Sequence, residues 1–153
     1  MVAIPKVTLN TDLNEGFCFG CGQNNPIGMK LRFVKDGETI RAEFTPHKMH
    51  QGWPGMLHGG ILACLLDEAM SNIAYATGNT TMTATIDIRW RQAVKVEVPL
   101  VVTAWITRHR KKIIETASKV TLKDGTIIAE GTAKQFVAEN LAEDKVKETR
   151  SHV

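Results

Sequence analysis

From Met82 to Arg91 the chain alternates strictly. Met82, Ala84, Ile86, Ile88 and Trp90 hold one parity, and Thr83, Thr85, Asp87, Arg89 and Arg91 hold the other. A period of two over that length predicts a strand with one face turned inward, here spanning residues 81–93. Ile40, Ala42 and Phe44 alternate with Arg41 and Glu43 in the same way, and Asp36-Gly37 lies just before them. Asp-Gly between alternating segments is a strong hairpin signal, so residues 29–35 and 38–45 are expected to pair. Residues 98–108, 113–123 and 126–137 form three further strands, the last two turning at Asp124-Gly125.

Between the hairpin and these strands the period changes. His47 to Met56 contains Gly52, Pro54 and Gly55 together with Trp53, and is expected to be a loop. It leads through His58-Gly59-Gly60 into a helical pattern that ends near Thr77, with Gly78-Asn79 past the last turn. Ile61 to Leu66 is apolar all round, as a buried helix requires. Asp67, Glu68, Ser71 and Asn72 then form a polar stripe opposite Ala69, Met70, Ile73 and Ala76.

The order is two strands, one long helix and four strands. With no other element to cover it, an apolar helix must be enclosed by the sheet. The expected class is α+β: an antiparallel β-sheet wrapped around one long central α-helix, the hotdog architecture. Residues 1–16 are a lead-in without clear period, 17–137 the domain, and 138–153 a polar tail expected to fray.

A length of 153 residues, 43% hydrophobic and 23% charged, suits one globular domain. No segment approaches the roughly 18 apolar residues that span a bilayer. The opening MVAIPKVTLN has no charged region followed by a long apolar one, so a cytoplasmic location is expected and the Asn79-Thr80-Thr81 sequon is accidental. Three cysteines, Cys18, Cys21 and Cys64, fit that compartment better than a disulfide scaffold. The net charge of +3 is mild, but Arg108-His109-Arg110-Lys111-Lys112 concentrates it. Such a run is a solvated turn or an anion site; without interleaved aromatic residues it does not suggest nucleic acid.

Candidate chemistry centres on the helix. Its first N–H groups have no intrahelical acceptor and carry the positive end of the dipole. Glycine there admits a ligand oxygen to the backbone, so Gly59 and Gly60 could polarise a carbonyl and hold an oxyanion, although a plain glycine start also explains them. Asp67 is a carboxylate in a largely apolar helix. It is either a solvated member of the polar stripe or a general base or nucleophile, with Glu68 competing for the role. Nine residues separate His58 from Asp67, about 13 Å along the axis and on the opposite side at ~100° per residue. If the helix start and Asp67 serve one reaction centre, they come from different subunits.

His58-Gly59-Gly60, the step to Asp67 and the strands that follow resemble the PaaI-like branch of hotdog acyl-CoA thioesterases over residues 17–137. Cys18-Phe19-Gly20-Cys21-Gly22 and Asn25-Pro26-Ile27-Gly28 resemble the lead-in of uncharacterised members of that branch. The resemblance implies hydrolysis of an acyl-CoA thioester by a homodimer or homotetramer. Gly59 would supply the N–H that polarises the carbonyl. Asp67 of the facing subunit would drive attack on it, and Thr83 is the nearest match to a hydroxyl that some relatives add. His58 would be a hydrogen-bonder beside the cleft. An asparagine that some relatives carry before the histidine is replaced here by Gly52 or a neighbour. Trp53 is placed to touch substrate, while Trp90 and Trp105 are expected to fill core or interface. Arg108, Arg110, Lys111 and Lys112 would receive the CoA phosphates. CoA enters as part of the substrate, and no cofactor, metal, nucleic acid or membrane is implied.

Cys18-x-x-Cys21 has no second CxxC to complete a zinc site, and packing in a turn is the favoured reading. Two subunits could pool ligands, with His47 or His50 joining. Cys64 is expected to be a small buried hydrophobe. The rival functions are a non-catalytic acyl-CoA-binding hotdog protein and a hotdog hydratase or dehydratase. The latter needs a histidine base, for which His58, ahead of the helix, is poorly matched.

Overall fold

Each alternating segment becomes a strand where a neighbour can take up its backbone hydrogen bonds. A computed structural model describes Thr8–Leu9 and residues 16–140. In chain order the elements are β1 (Thr8–Leu9), β2 (Val34–Asp36), β3 (Thr39–Phe44), a 3-10 turn (Lys48–His50), α1 (Gly59–Ala76), β4 (Thr81–Trp90), β5 (Leu100–Arg110), β6 (Ile113–Leu122), β7 (Ile127–Val137) and β8 (Glu139–Asn140). Six strands form one antiparallel sheet in the order β2-β3-β5-β6-β7-β4, and β1 pairs with β8 in a small parallel ladder. On leaving the helix the chain therefore enters the sheet at the edge opposite β2, and α1 packs across β3, β5, β6, β7 and β4.

The helix buries Leu65, Leu66, Ala69 and Met70 completely, in one core with Ile40, Leu100, Val102, Val120 and Ile128 of the sheet, and Ala74 is fully buried as well. Each large side chain so enclosed contributes about 1.5–3 kcal/mol relative to exposure. Of the apolar stripe in the helix's second half, Ala69, Met70 and Ile73 are buried, whereas Ala76 in the last turn is exposed and Ala74 takes its place. Among the described residues no helix is long and apolar enough to cross a membrane.

Several boundaries differ from expectation: β4 stops at Trp90, short of 93, and β5 starts at Leu100 instead of 98. The strand expected over 29–35 is confined to Val34–Asp36. The Met29 and Leu31 N–H groups donate to Phe19 and Gly20 carbonyls (2.8 and 2.9 Å), and Lys30 between them has φ 53°, which breaks an extended run. β5 runs on to Arg110, so Arg108, His109 and Arg110 are strand residues and only Lys111-Lys112 make the turn. The expected fraying from Ala138 does not begin there. Ala138 N–H donates to Thr80 O, and Glu139–Asn140 pair with Thr8–Leu9. Residues 141–153 of the expected tail, and most of the lead-in, lie outside the described residues.

β4 departs in a way that matters for function. Its register against β7 shifts between Thr83 and Thr85, a bulge that leaves Ala84 unpaired. Thr83 pairs with the buried Gln135, and Ile86, Ile88 and Trp90 pair with Ala133, Gly131 and Ala129. Directly paired residues share a face, so the bulge puts Thr83 on the same, helix-facing side as Ile86, Ile88 and Trp90. Simple alternation would have turned it away.

Candidate active site

The helix start is fixed by its own sequence. His58 is the N-cap, with extended backbone (φ −67°, ψ 133°), and its Nδ1 accepts from the Gly60 N–H at 2.8 Å. Gly60's N–H is thus engaged within the chain. The Gly59 N–H has no hydrogen-bond acceptor among the described residues. The carbonyl of the same residue accepts from Trp90 Nε1 at 3.1 Å, which ties the end of β4 to the first turn of α1. An open pocket of about 420 Å³ lies here, lined by Gly52, Trp53, Leu57, His58 and Gly59. Trp53 stands 83% exposed at its rim.

Asp67 lies two turns further along. Thr83 Oγ1 donates to Asp67 Oδ1 at 2.7 Å, a contact made possible by the bulge. No Lys, Arg or His among the described residues forms an ion pair with Asp67. A half-buried carboxylate whose one neutral donor occupies a single oxygen keeps its second oxygen for another partner. Within one chain the Gly59 N–H and Asp67 are separated by eight residues of helix, about 12 Å along the axis.

A polar residue that sequence reasoning passed over supports this corner. Gln135 of β7 is fully buried; its Oε1 accepts from Thr81 Oγ1 at 3.0 Å and its Nε2 donates to Ser71 Oγ at 3.3 Å. It bridges the start of β4 to the helix one turn beyond Asp67. The available signal was a glutamine at an inward position of the 126–137 strand, between Ala133 and Val137.

Glu68 faces elsewhere. Asn72 Nδ2 donates to its Oε1 at 2.9 Å, and Cys18 Sγ donates to the same oxygen at 3.5 Å. Burial, aided by the Glu68 hydrogen bond and charge, pushes the Cys21 thiol far above the ordinary range. Burial and the charges of Glu68, Asp67 and Cys18 push Cys64 up to about 11. Cys18, Cys21 and Glu68 are the one group of three potential metal ligands among the described residues. His47 and His50 instead engage each other. The His47 N–H donates to His50 Nδ1 at 3.1 Å, and their rings lie 3.9 Å apart.

The basic residues sit at the Asp67 end of the sheet. Val137 pairs with Thr81, the first residue of β4, and donates its N–H to Lys112 O. Arg108, Arg110, Lys111 and Lys112 are all exposed, and Lys112 Nζ pairs with Glu139 Oε1 at 3.3 Å. Arg108 and Arg110 share one face of β5, with His109 on the other.

Comparison with known proteins gives a consistent picture. A family model described as "Thioesterase superfamily" matches residues 54–129. Acyl-coenzyme A thioesterase THEM4 of Bos taurus is 24% identical over 131 residues, covering 84% of this chain. The chain spans 54% of the length of that relative. A solved protein described as a thioesterase superfamily protein is 25% identical and superposes with a TM-score of 0.69, over 74% of this chain and 58% of its own. A hypothetical thioesterase from Streptococcus pneumoniae, solved with coenzyme A, is 17% identical with a TM-score of 0.67, over 71% of this chain and 89% of its own.

Proposed function

This chain belongs to the thioesterase superfamily and has the hotdog fold, and from that premise we propose that it hydrolyses an acyl-CoA thioester at sites shared between two copies. The observation that carries the reading is the layout of β4. At its start Thr83 holds Asp67, and at its end Trp90 holds Gly59. β4 is also an edge strand of 10 residues whose helix-facing Ile86 and Trp90 are 40% and 55% exposed. An unpaired edge of that length with open apolar side chains calls for a partner strand. Antiparallel pairing with β4 of a second copy brings the Thr83 end of one strand beside the Trp90 end of the other. Asp67 of one copy then approaches Gly59 of its partner, twice over by symmetry.

In this reading the thioester oxygen accepts from the Gly59 N–H, and the free oxygen of the partner's Asp67 takes a proton from water. Hydroxide adds to the carbonyl carbon, the oxyanion stays at the helix start, and the C–S bond breaks to release CoA thiolate, which is then protonated. Thr83 orients the carboxylate. His58 acts by capping the helix, which occupies Gly60 and leaves Gly59 as the donor. Trp53 borders the acyl pocket. A spacing argument adds support: in the Streptococcus pneumoniae protein an aspartate and a threonine 16 residues apart were each replaced by alanine in solved structures, and Asp67 and Thr83 are 16 apart.

Thiol release over a panel of acyl-CoAs tests the proposal. Hydrolysis of at least one member is expected; binding without release across the panel favours a carrier instead. Neutralising Arg110, Lys111 and Lys112 together should raise KM for acyl-CoA and flatten its salt dependence, because exposed charges act through screened attraction. A thioester lacking the nucleotide should be unaffected. Equal losses on both substrates would remove the basic hairpin from CoA recognition.

A further inference from the structure

We propose that Cys18, Cys21 and Glu68 bind a thiolate-preferring divalent cation of the zinc class, its fourth position left to solvent, and so clamp the loop before β2 onto α1. The three donor atoms lie within 4.8 Å of one another. Cys18 Sγ and Glu68 Oε1 are 3.5 Å apart. Tetrahedral coordination with a metal–sulfur arm of about 2.3 Å and a metal–oxygen arm of about 2.0 Å requires an S···O edge of about 3.5 Å.

The backbone is shaped for this convergence. A Cβ at Gly20 would stand 2.4 Å from Glu68 Cδ, and one at Gly22 would stand 2.4 Å from the Cys18 N. Glycine at both positions is what lets the two sulfurs close on the helix, with the turn held by Gly22 N–H to Cys18 O at 2.9 Å. Cys64, four residues before Glu68, is only partly buried, packs against the hydrophobic core and stands outside the three donors that converge.

The charges point the same way. Glu68 forms no ion pair among the described residues, and its carboxylate is met by the Asn72 amide and by the thiols of Cys18 and Cys21. A carboxylate set against two thiols adds nothing to a Cys18–Cys21 disulfide, but it supplies the third ligand that a CxxC lacks.

The test is a Co²⁺ titration of the reduced full chain, followed by displacement with Zn²⁺. A single Co²⁺ per chain with a thiolate-to-metal charge-transfer band is expected. Cys18→Ser and Cys21→Ser should abolish the band. Glu68→Gln, which keeps the shape of the side chain, should weaken binding by roughly tenfold or more, at least as much as loss of an outer-shell partner. Cys64→Ala and Asp67→Asn should leave it unchanged. If a cysteine variant fails to fold, the Glu68→Gln titration decides. Absence of the band in reduced protein overturns the site, whether or not air then forms a Cys18–Cys21 disulfide. A band indifferent to Cys18, Cys21 and Glu68 overturns it equally.

Discussion

Asp67→Asn should lower kcat by roughly 10²-fold or more on the acyl-CoA that the wild type hydrolyses fastest, the range expected for loss of a general base. The substitution is nearly isosteric, and the amide oxygen can still accept from Thr83 Oγ1, so the helix and its contact with β4 should persist. What disappears is the capacity to take a proton. Glu68→Gln should do far less to kcat, because that carboxylate is turned toward Cys18 and Asn72. Steady-state thiol release on both variants, with circular dichroism to check folding, measures the difference. A larger loss in Glu68→Gln would transfer the catalytic role to the wrong side of the helix and refute the assignment.

Breaking the β4 edge should be as damaging without touching either reacting group. Ile86 faces the helix side yet is 40% exposed, so Ile86→Lys costs the isolated chain little. In a paired sheet the same lysine would be carried into the interface, where an unpaired charge is expensive. Sedimentation should report a monomer, and activity should fall by about 10²–10³-fold, as for loss of an oxyanion donor, since each Asp67 would face no Gly59. A folded monomer with wild-type turnover would mean that one chain holds a complete site.

Much of this was legible beforehand, and the exceptions have physical causes. The helix from Gly59 and the strands after it follow from periodicity, because each buries one continuous face. Helix geometry alone already set Gly59 and Asp67 apart. The bulge at Ala84 was not legible: nothing in Thr83-Ala84-Thr85 marks it, yet it decides that Thr83 meets Asp67. The Asp36-Gly37 turn signal located the hairpin but not its length: residues 29–31 lie against the Cys18–Gly22 loop instead of extending the strand. Cys18 and Glu68 are 50 residues apart, and only folding brings them together. β4 has the period of a half-buried strand, but much of its apolar surface stays open in a single chain, consistent with burial by another copy.

Re-pairing two inactive variants measures the shared site most directly. One is Asp67→Asn. The other is Gly59→Pro, which deletes the donor N–H at the first helical position, where proline is favoured. The extended backbone of His58 (φ −67°, ψ 133°) is what a residue before proline adopts, so the helix should form normally. The Cβ at position 59 would come 3.2 Å from Trp90 Nε1, a contact that this exposed side chain can relax. Mixed through reversible unfolding, the chains should pair at random, giving about half heterodimers, each with one intact and one doubly altered site. Activity should return to about a quarter of wild type from two preparations that are separately inactive. If both variants fold, their chains exchange and no activity returns, Gly59 and Asp67 do not act on the same carbonyl from different chains.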